Sequence, residues 1–358
     1  MTDLRARYVE QIRPDGAPLT GALADAFAAV PREVFVPDGF RRRDGGWAVP
    51  GDADFLDLVY RDDVLVTKVD GRVPISSSSQ PSLMAAMLQA LDVRPGVRIL
   101  EIGAGTGYNA ALMSALGATV TSVDVQPDVA ARADAAVQAA GCSGVRVQTG
   151  DGYRGAPGQF DRVIVTVGVS GVSPFWFARL TGAGPVVAPV AHAGTHPVLA
   201  LPDMTTASVV CAAAFMSAAG PLMASHPLGH PAPAPPGALR GFTPAAPARW
   251  NPPLDAVAYH DLWYAAGVWH RRATQAALPD YGDGVLALLG RGGAGAAVLT
   301  DGAVLAGGRQ AADLTADAVQ VMDRWETAGR PAMRAWQIEL ARAGFPKAPI
   351  WVPTRWRL

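Results

Sequence analysis

The run Glu101-Ile102-Gly103-Ala104-Gly105-Thr106-Gly107-Tyr108 constrains this chain most, because it stands between an apolar strand pattern, Val97 to Ile102, and a helical one, Ala110 to Leu116. Three glycines at alternate positions let a backbone bend tightly and approach a ligand that side chains would hold off. The strand pattern resumes over Ala118 to Val125, so the unit reads strand, loop, helix, strand. A dinucleotide fingerprint places its third glycine one position later, as G-x-G-x-x-G, whereas the spacing here is G-x-G-x-G.

Acidic residues at successive strand ends narrow the ligand. Glu101, two positions before the first glycine, suits an ammonium group; Asp124, at the end of the next strand, suits a ribose diol. Asp151, in Gly150-Asp151-Gly152 after the third strand, suits an adenine amino group. Together they describe S-adenosylmethionine. The candidate cofactor-binding set is Glu101, Gly103, Ala104, Gly105, Thr106, Gly107, Tyr108, Asn109, Asp124, Val125, Asp151 and Gly152.

The same alternation continues through a helix over Pro127 to Ala140 and strands over Val145 to Val147, Phe160 to Val167, Gly184 to Val190, Val198 to Leu201 and Ser208 to Phe215. It predicts an α/β, doubly wound parallel sheet covered on both faces. We divide the chain into an N-terminal cap and substrate loop (1–80), a core (81–225), a proline-rich linker (226–255) and a smaller C-terminal domain (256–358). Nine prolines lie between Pro227 and Pro253, and seven of nine tryptophans follow residue 249. Leu314, Ala318, Met322 and Trp325 share one helical face, and Pro331 is expected to open a further helix to about Ala343. These tryptophans read as core, in a region suited to peptide recognition.

Composition excludes several classes. Thirty basic against 31 acidic residues give a net charge of −1, without the basic excess of a nucleic-acid binder. Only Lys68 and Lys347 are lysines. Cys142 and Cys211 are too few for a disulfide scaffold. No signal-peptide pattern opens the chain, and its longest uncharged stretch, Met204 to Arg240, is broken by glycine and proline, so a cytoplasmic protein with no membrane span is expected. His226 and His230 are spaced i, i+4 without the Glu of an HExxH site, so no metal is expected.

Ser76 to Ser79, then Gln80-Pro81, precede a helical pattern over Leu83 to Leu91 and read locally as a helix cap with a polar loop. Four segments in order resemble the protein-L-isoaspartate O-methyltransferase family: Val30 to Pro37, the serine run with Gln80-Pro81, the glycine loop extended through Asn109-Ala110-Ala111, and Gly150-Asp151-Gly152. The resemblance covers roughly residues 1 to 220. It implies a class I methyltransferase fold, S-adenosylmethionine as cofactor with S-adenosylhomocysteine as product, and a carboxylate of a peptide or protein as methyl acceptor.

It also makes Ser79, Ser78 and Ser76 the candidate catalytic residues, with Ser77, Gln80, Thr67 and Val169 as candidate substrate contacts. Register with Pro81 favours Ser79, and register with Ile75 favours Ser76. Two departures stand out: four serines replace a shorter Ile-Ser-x-Pro segment, and a long extension follows Gly220. Both resemble the branch of homologues that methylates an Asp side chain in ribosomally made peptides, such as a modified precursor, with the ester closing to an aspartimide. Repair of isoaspartyl residues in damaged proteins is the alternative. A monomer is expected. A carboxylate is already nucleophilic at neutral pH, so methyl transfer to it needs positioning more than a general base.

Overall fold

The computed structural model describes residues 2–227, 229–235 and 237–358; Leu228 and Pro236, inside the expected linker, lie outside the described residues. Its centre is a nine-stranded sheet. In chain order its strands are β1 (Arg98–Ile102), β2 (Thr119–Asp124), β3 (Val145–Thr149), β4 (Arg162–Val165), β5 (Val186–Pro189), β6 (Val198–Leu201), β7 (Thr206–Cys211), β8 (Gln337–Phe345) and β9 (Ala348–Arg357). Across the sheet they run β3-β2-β1-β4-β5-β6-β7-β8-β9. The pairs from β3 to β5 are parallel and those from β5 to β9 antiparallel. Strand order therefore reverses between β1 and β4, the place where open α/β sheets leave a crevice for ligands.

Successive strand residues face opposite sides, and both sides are packed, which accounts for near-continuous apolar runs in the sequence. Ile99, Val120, Ile164, Val187 and Val198 join the core beneath the N-terminal segments and the helices Pro81–Leu91 and Tyr108–Ala115. Leu100, Val123, Val163, Val165 and Val186 join the opposite core, which continues into the C-terminal region. There a five-stranded antiparallel sheet packs with the helices Ala256–Trp269 and Ala311–Thr327. Leu314, Ala318, Met322 and Trp325 are buried from the second helix, on the face read from the sequence.

Three expectations change. The segment after Pro331 forms a short 3₁₀ turn, Met333–Ala335, and then β8, not a helix. Its Glu-Leu-Ala-Arg composition favours helix locally, but the alternation that buries Ile338 and Leu340 pairs with β7 on one side and β9 on the other. Residues 256–358 consequently do not stand apart, since β8 and β9 extend the central sheet. The proline-rich segment also contributes a strand, Thr243–Ala246, at the edge of the five-stranded sheet, where Pro244 withholds no needed amide.

Candidate active site

The serine run is not a loop. Val73–Ser78 is a strand paired with Leu65–Asp70, in the register Leu65↔Ser78, Val66↔Ser77 and Lys68↔Ser76, which makes Thr67 the extra residue of a bulge. The hairpin is tied to the turn after β2: Lys68 Nζ donates to Gln126 Oε1 at 2.9 Å and to the Asp128 carboxylate at 2.7 and 2.8 Å. Gln126 Nε2 in turn donates to the Ile75 carbonyl at 3.0 Å. These ties lay the serine strand over the glycine loop. A Cβ on Gly105 would stand 3.0 Å from the Ser77 carbonyl oxygen, and Gly105 has φ +53°.

The serines do not cap the following helix. Gln80 is its N-cap and makes no side-chain cap bond; Asp62 serves instead, accepting from the Ser82 amide at 2.7 Å, the Ser82 hydroxyl at 2.7 Å and Gln80 Nε2 at 3.0 Å. Gln80 is thereby committed to Asp62. Arg32 holds the other end of the run: wholly buried, it donates to the carbonyls of Val59, Arg61 and Asp63 at 2.9 Å and of Ser79 at 3.0 Å. Its guanidinium also lies near the rings of Tyr8 and Tyr108. Between these anchors the Oγ atoms of Ser76 and Ser78 are buried and have no hydrogen-bond partner. They share one strand face, and Ser77 lies on the other.

Glu101 is fully buried at the end of β1. It accepts from Ser122 Oγ at 2.5 Å and from Asn109 Nδ2 at 2.8 Å, so its carboxyl group braces the loop rather than standing open to an ammonium as expected. Burial pushes its pKa up to about 7, against the pull of the Ser122 and Asn109 bonds and with a smaller contribution from Asp124. Asp124, at the end of β2, accepts from the Gly105 amide at 3.2 Å and the Gln126 amide at 3.0 Å. Burial raises its pKa as well. Asp151 is exposed and accepts from the Tyr153 amide at 2.9 Å.

The remaining positions divide. Thr166 Oγ1 at the end of β4 donates to the Gly103 carbonyl at 2.6 Å and sits where a Gly103 side chain would be. Ala104 is buried in the loop and Thr106 half-buried, while Gly107 has φ +85°. Val125 is exposed beside Asp124, and Gly152 accepts through its carbonyl from Trp176 Nε1 at 2.8 Å. Two side chains belong elsewhere. The Tyr108 ring packs into the N-terminal cap against Phe27 and Phe35, and its hydroxyl meets that of Tyr8 at 3.2 Å. Val169 is a core residue, fully buried with its amide bonded to Pro189 and its carbonyl to Ala191, so it is no substrate contact.

Arg32, Asp62, Lys68, Gln126 and Thr166 had no assigned role in the sequence. Lys68 carried a signal nonetheless, being one of two lysines in a chain that otherwise uses arginine.

The site fits S-adenosylmethionine. Bare backbone at the glycine loop, a carboxylate on the neighbouring strand end, and the buried Asn109 Oδ1 without a donor are groups that a ligand with amino and hydroxyl donors would complete. Among the described residues no group of three or more His, Cys, Asp or Glu is placed to hold a metal, and no helix is long and apolar enough to cross a membrane.

The family profile described as Protein-L-isoaspartate(D-aspartate) O-methyltransferase (PCMT) matches residues 5–215. The protein-L-isoaspartate O-methyltransferase of Gloeobacter violaceus is 36% identical over 186 residues, 51% of this chain and 79% of the relative. That of Thermotoga maritima is 38% identical over 173 residues, 47% of this chain and half of the relative. A solved structure of a protein named protein-L-isoaspartate O-methyltransferase superposes with a TM-score of 0.51 at 25% identity, covering 94% of this chain and 96% of that one. The chain belongs to the protein-L-isoaspartate O-methyltransferase family and is a class I, S-adenosylmethionine-dependent O-methyltransferase.

Proposed function

We propose that this enzyme methylates the α-carboxylate of isoaspartyl residues in peptides and proteins. The observation that carries the reading is the serine strand laid over the glycine loop, with the Ser77 carbonyl against Gly105, in a strand whose Ser76 and Ser78 hydroxyls have no partner. A buried hydroxyl without a partner costs about 1–3 kcal/mol, a cost that an acceptor carboxylate would relieve by taking both O–H bonds.

S-adenosylmethionine supplies an electrophilic methyl group. Transfer forms one O–C bond and breaks one S–C bond, and an ionised acceptor has no proton to lose, so the site requires no general base. The protein's part is to hold the acceptor in line and dry. Ser76 and Ser78 orient the carboxylate; Arg32, Asp62 and Lys68 fix the segment that carries them; Asp124 and the glycine loop hold the cofactor.

The other acceptor, an Asp side chain in a ribosomally made peptide, drew support from the length beyond Gly220 and from the four serines. A protein named for isoaspartyl methylation matches over 94% of this chain, so the length no longer separates the two readings. Single-turnover mass spectrometry on an isoaspartyl peptide tests the proposal. A gain of about 14 Da on the α-carboxylate supports it, and no gain with cofactor bound contradicts it.

A further inference from the structure

The C-terminal region contains a cleft of about 630 Å³ away from the glycine loop. Four arginines line it, Arg271, Arg324, Arg355 and Arg357, together with the indoles of Trp269 and Trp336. No Asp or Glu lines it among the described residues. Arg355 and Arg357 are 75% and 68% exposed and share a single carboxylate, Glu339. The Arg324 guanidinium lies 4.5 Å from the Trp269 ring centroid, and Arg271 donates to the Pro227 carbonyl. In the adjoining cleft of about 480 Å³ the acidic groups are committed, Asp317 to His270 and Asp323 to Arg249.

A second observation asks for an acceptor at the same place. Trp336 is 3% exposed, and its Nε1 is buried without a hydrogen-bond partner. An indole nitrogen only donates, so a cleft walled by this group and four guanidiniums is matched to carboxylate oxygens.

Topology links the cleft to the reaction. Two parallel steps from β1 through β4 to β5, then four antiparallel steps to β9, leave β9 running in the direction of β1. Its carboxyl end lines the cleft, while its amino end is tied beside the site: Trp351 exchanges backbone hydrogen bonds with Val172, and Tyr153, two residues after Asp151, donates its hydroxyl to the Pro349 carbonyl at 2.8 Å. From Trp351 to Arg357 the strand rises roughly 20 Å, so one strand joins the neighbourhood of the site to the cleft.

Resting on the isoaspartyl reading for its substrate, we infer that this cleft binds an acidic stretch of the polypeptide outside the methylated position. Guanidiniums pair with carboxylates in a fixed, two-pronged geometry, and the indole walls accommodate the backbone between the charges.

The test uses the full-length enzyme and two readouts. The first is fluorescence anisotropy of a labelled oligoglutamate peptide, which needs no turnover. Wild type binds it, and R271E/R324E weakens binding about fivefold or more, the loss expected when two exposed ion pairs turn repulsive. W336F, which keeps an aromatic ring and removes the donor, weakens it as well. Equal binding by wild type and R271E/R324E overturns the proposal, as does tighter binding of a single-stranded RNA of equal charge. The second readout is the ratio of kcat/KM for a long isoaspartyl peptide with an acidic tract outside the methylated position to that for the same peptide with a neutral tract. The ratio exceeds about five in wild type and falls towards one in R271E/R324E; a ratio near one in wild type overturns the proposal. If neither peptide is methylated, the isoaspartyl reading fails while anisotropy still judges the cleft.

Discussion

Replacing Arg32 tests whether the N-terminal cap sets the geometry of the serine strand. Its side chain is fully buried and spends four donors on four backbone carbonyls, the last of them that of Ser79. Charge-assisted hydrogen bonds contribute about 1.5–3 kcal/mol each, while taking a guanidinium out of water costs several kcal/mol. Arg32→Met, similar in volume and neutral, should then cost about 2–4 kcal/mol net, read from the urea midpoint at constant slope. Because the freed end carries the serines, kcat/KM for an isoaspartyl peptide should fall at least tenfold, while the Kd for S-adenosylhomocysteine stays within about twofold. Arg32→Lys keeps the charge but not the fork, and should resemble Met more than Arg. Wild-type stability and kinetics in Arg32→Lys would refute this reasoning, showing that only charge is needed there.

Three further predictions follow from the site. Ser76→Ala and Ser78→Ala remove hydroxyls that have no partner in the protein, so melting should show stability kept or slightly raised while kcat/KM drops about tenfold or more. Gly105→Ala places a Cβ 3.0 Å from the Ser77 carbonyl at φ +53°; calorimetry should show weaker S-adenosylhomocysteine binding and melting a loss of about 1–2 kcal/mol. Glu101 has a folded pKa raised to about 7 from 4.5, so its contribution is complete below pH 4.5 and is lost as pH rises through 7, about 3 kcal/mol in all. Buried His192 and His196, held down to about 3 and 4 by desolvation, act oppositely, adding stability as pH rises towards 6.5. The difference between wild type and Glu101→Gln in urea midpoints from pH 4.5 to 8.5 isolates the Glu101 term; a flat difference would contradict the buried acid.

What the sequence disclosed was what neighbouring residues decide. The strand, glycine loop and helix around Gly103 to Gly107 lie within one short segment, and the alternation from β1 to β7 is carried by apolar runs visible in each segment by itself. The segment from Pro331 to about Ala343 reads as helix in the sequence, but its helical composition yields to pairing with β7, far back in the chain. The serines were misread locally for the same reason: the cap of the following helix comes from Asp62, and the tie on Ser79 from Arg32. Glu101 was recognised as part of the site, but its commitment to Ser122 and Asn109 depends on a neighbouring strand and the next helix. Arg32 lay inside a segment that pointed to the family, yet nothing in Val30 to Pro37 tells that its guanidinium reaches four carbonyls.

The most direct test of the central claim is competition. One peptide sequence is prepared in three forms, with an isoaspartyl residue, with the ordinary aspartyl residue, and cyclised around that aspartate; all three are offered at equal concentration with S-adenosylmethionine and followed by mass spectrometry. The account predicts methyl ester on the isoaspartyl form at least a hundredfold faster than on either other form, since only there does the α-carboxylate meet the serine strand in line with the donor. Preferential methylation of the cyclised aspartyl peptide, followed by loss of methanol, would contradict it and assign the enzyme to aspartimide formation.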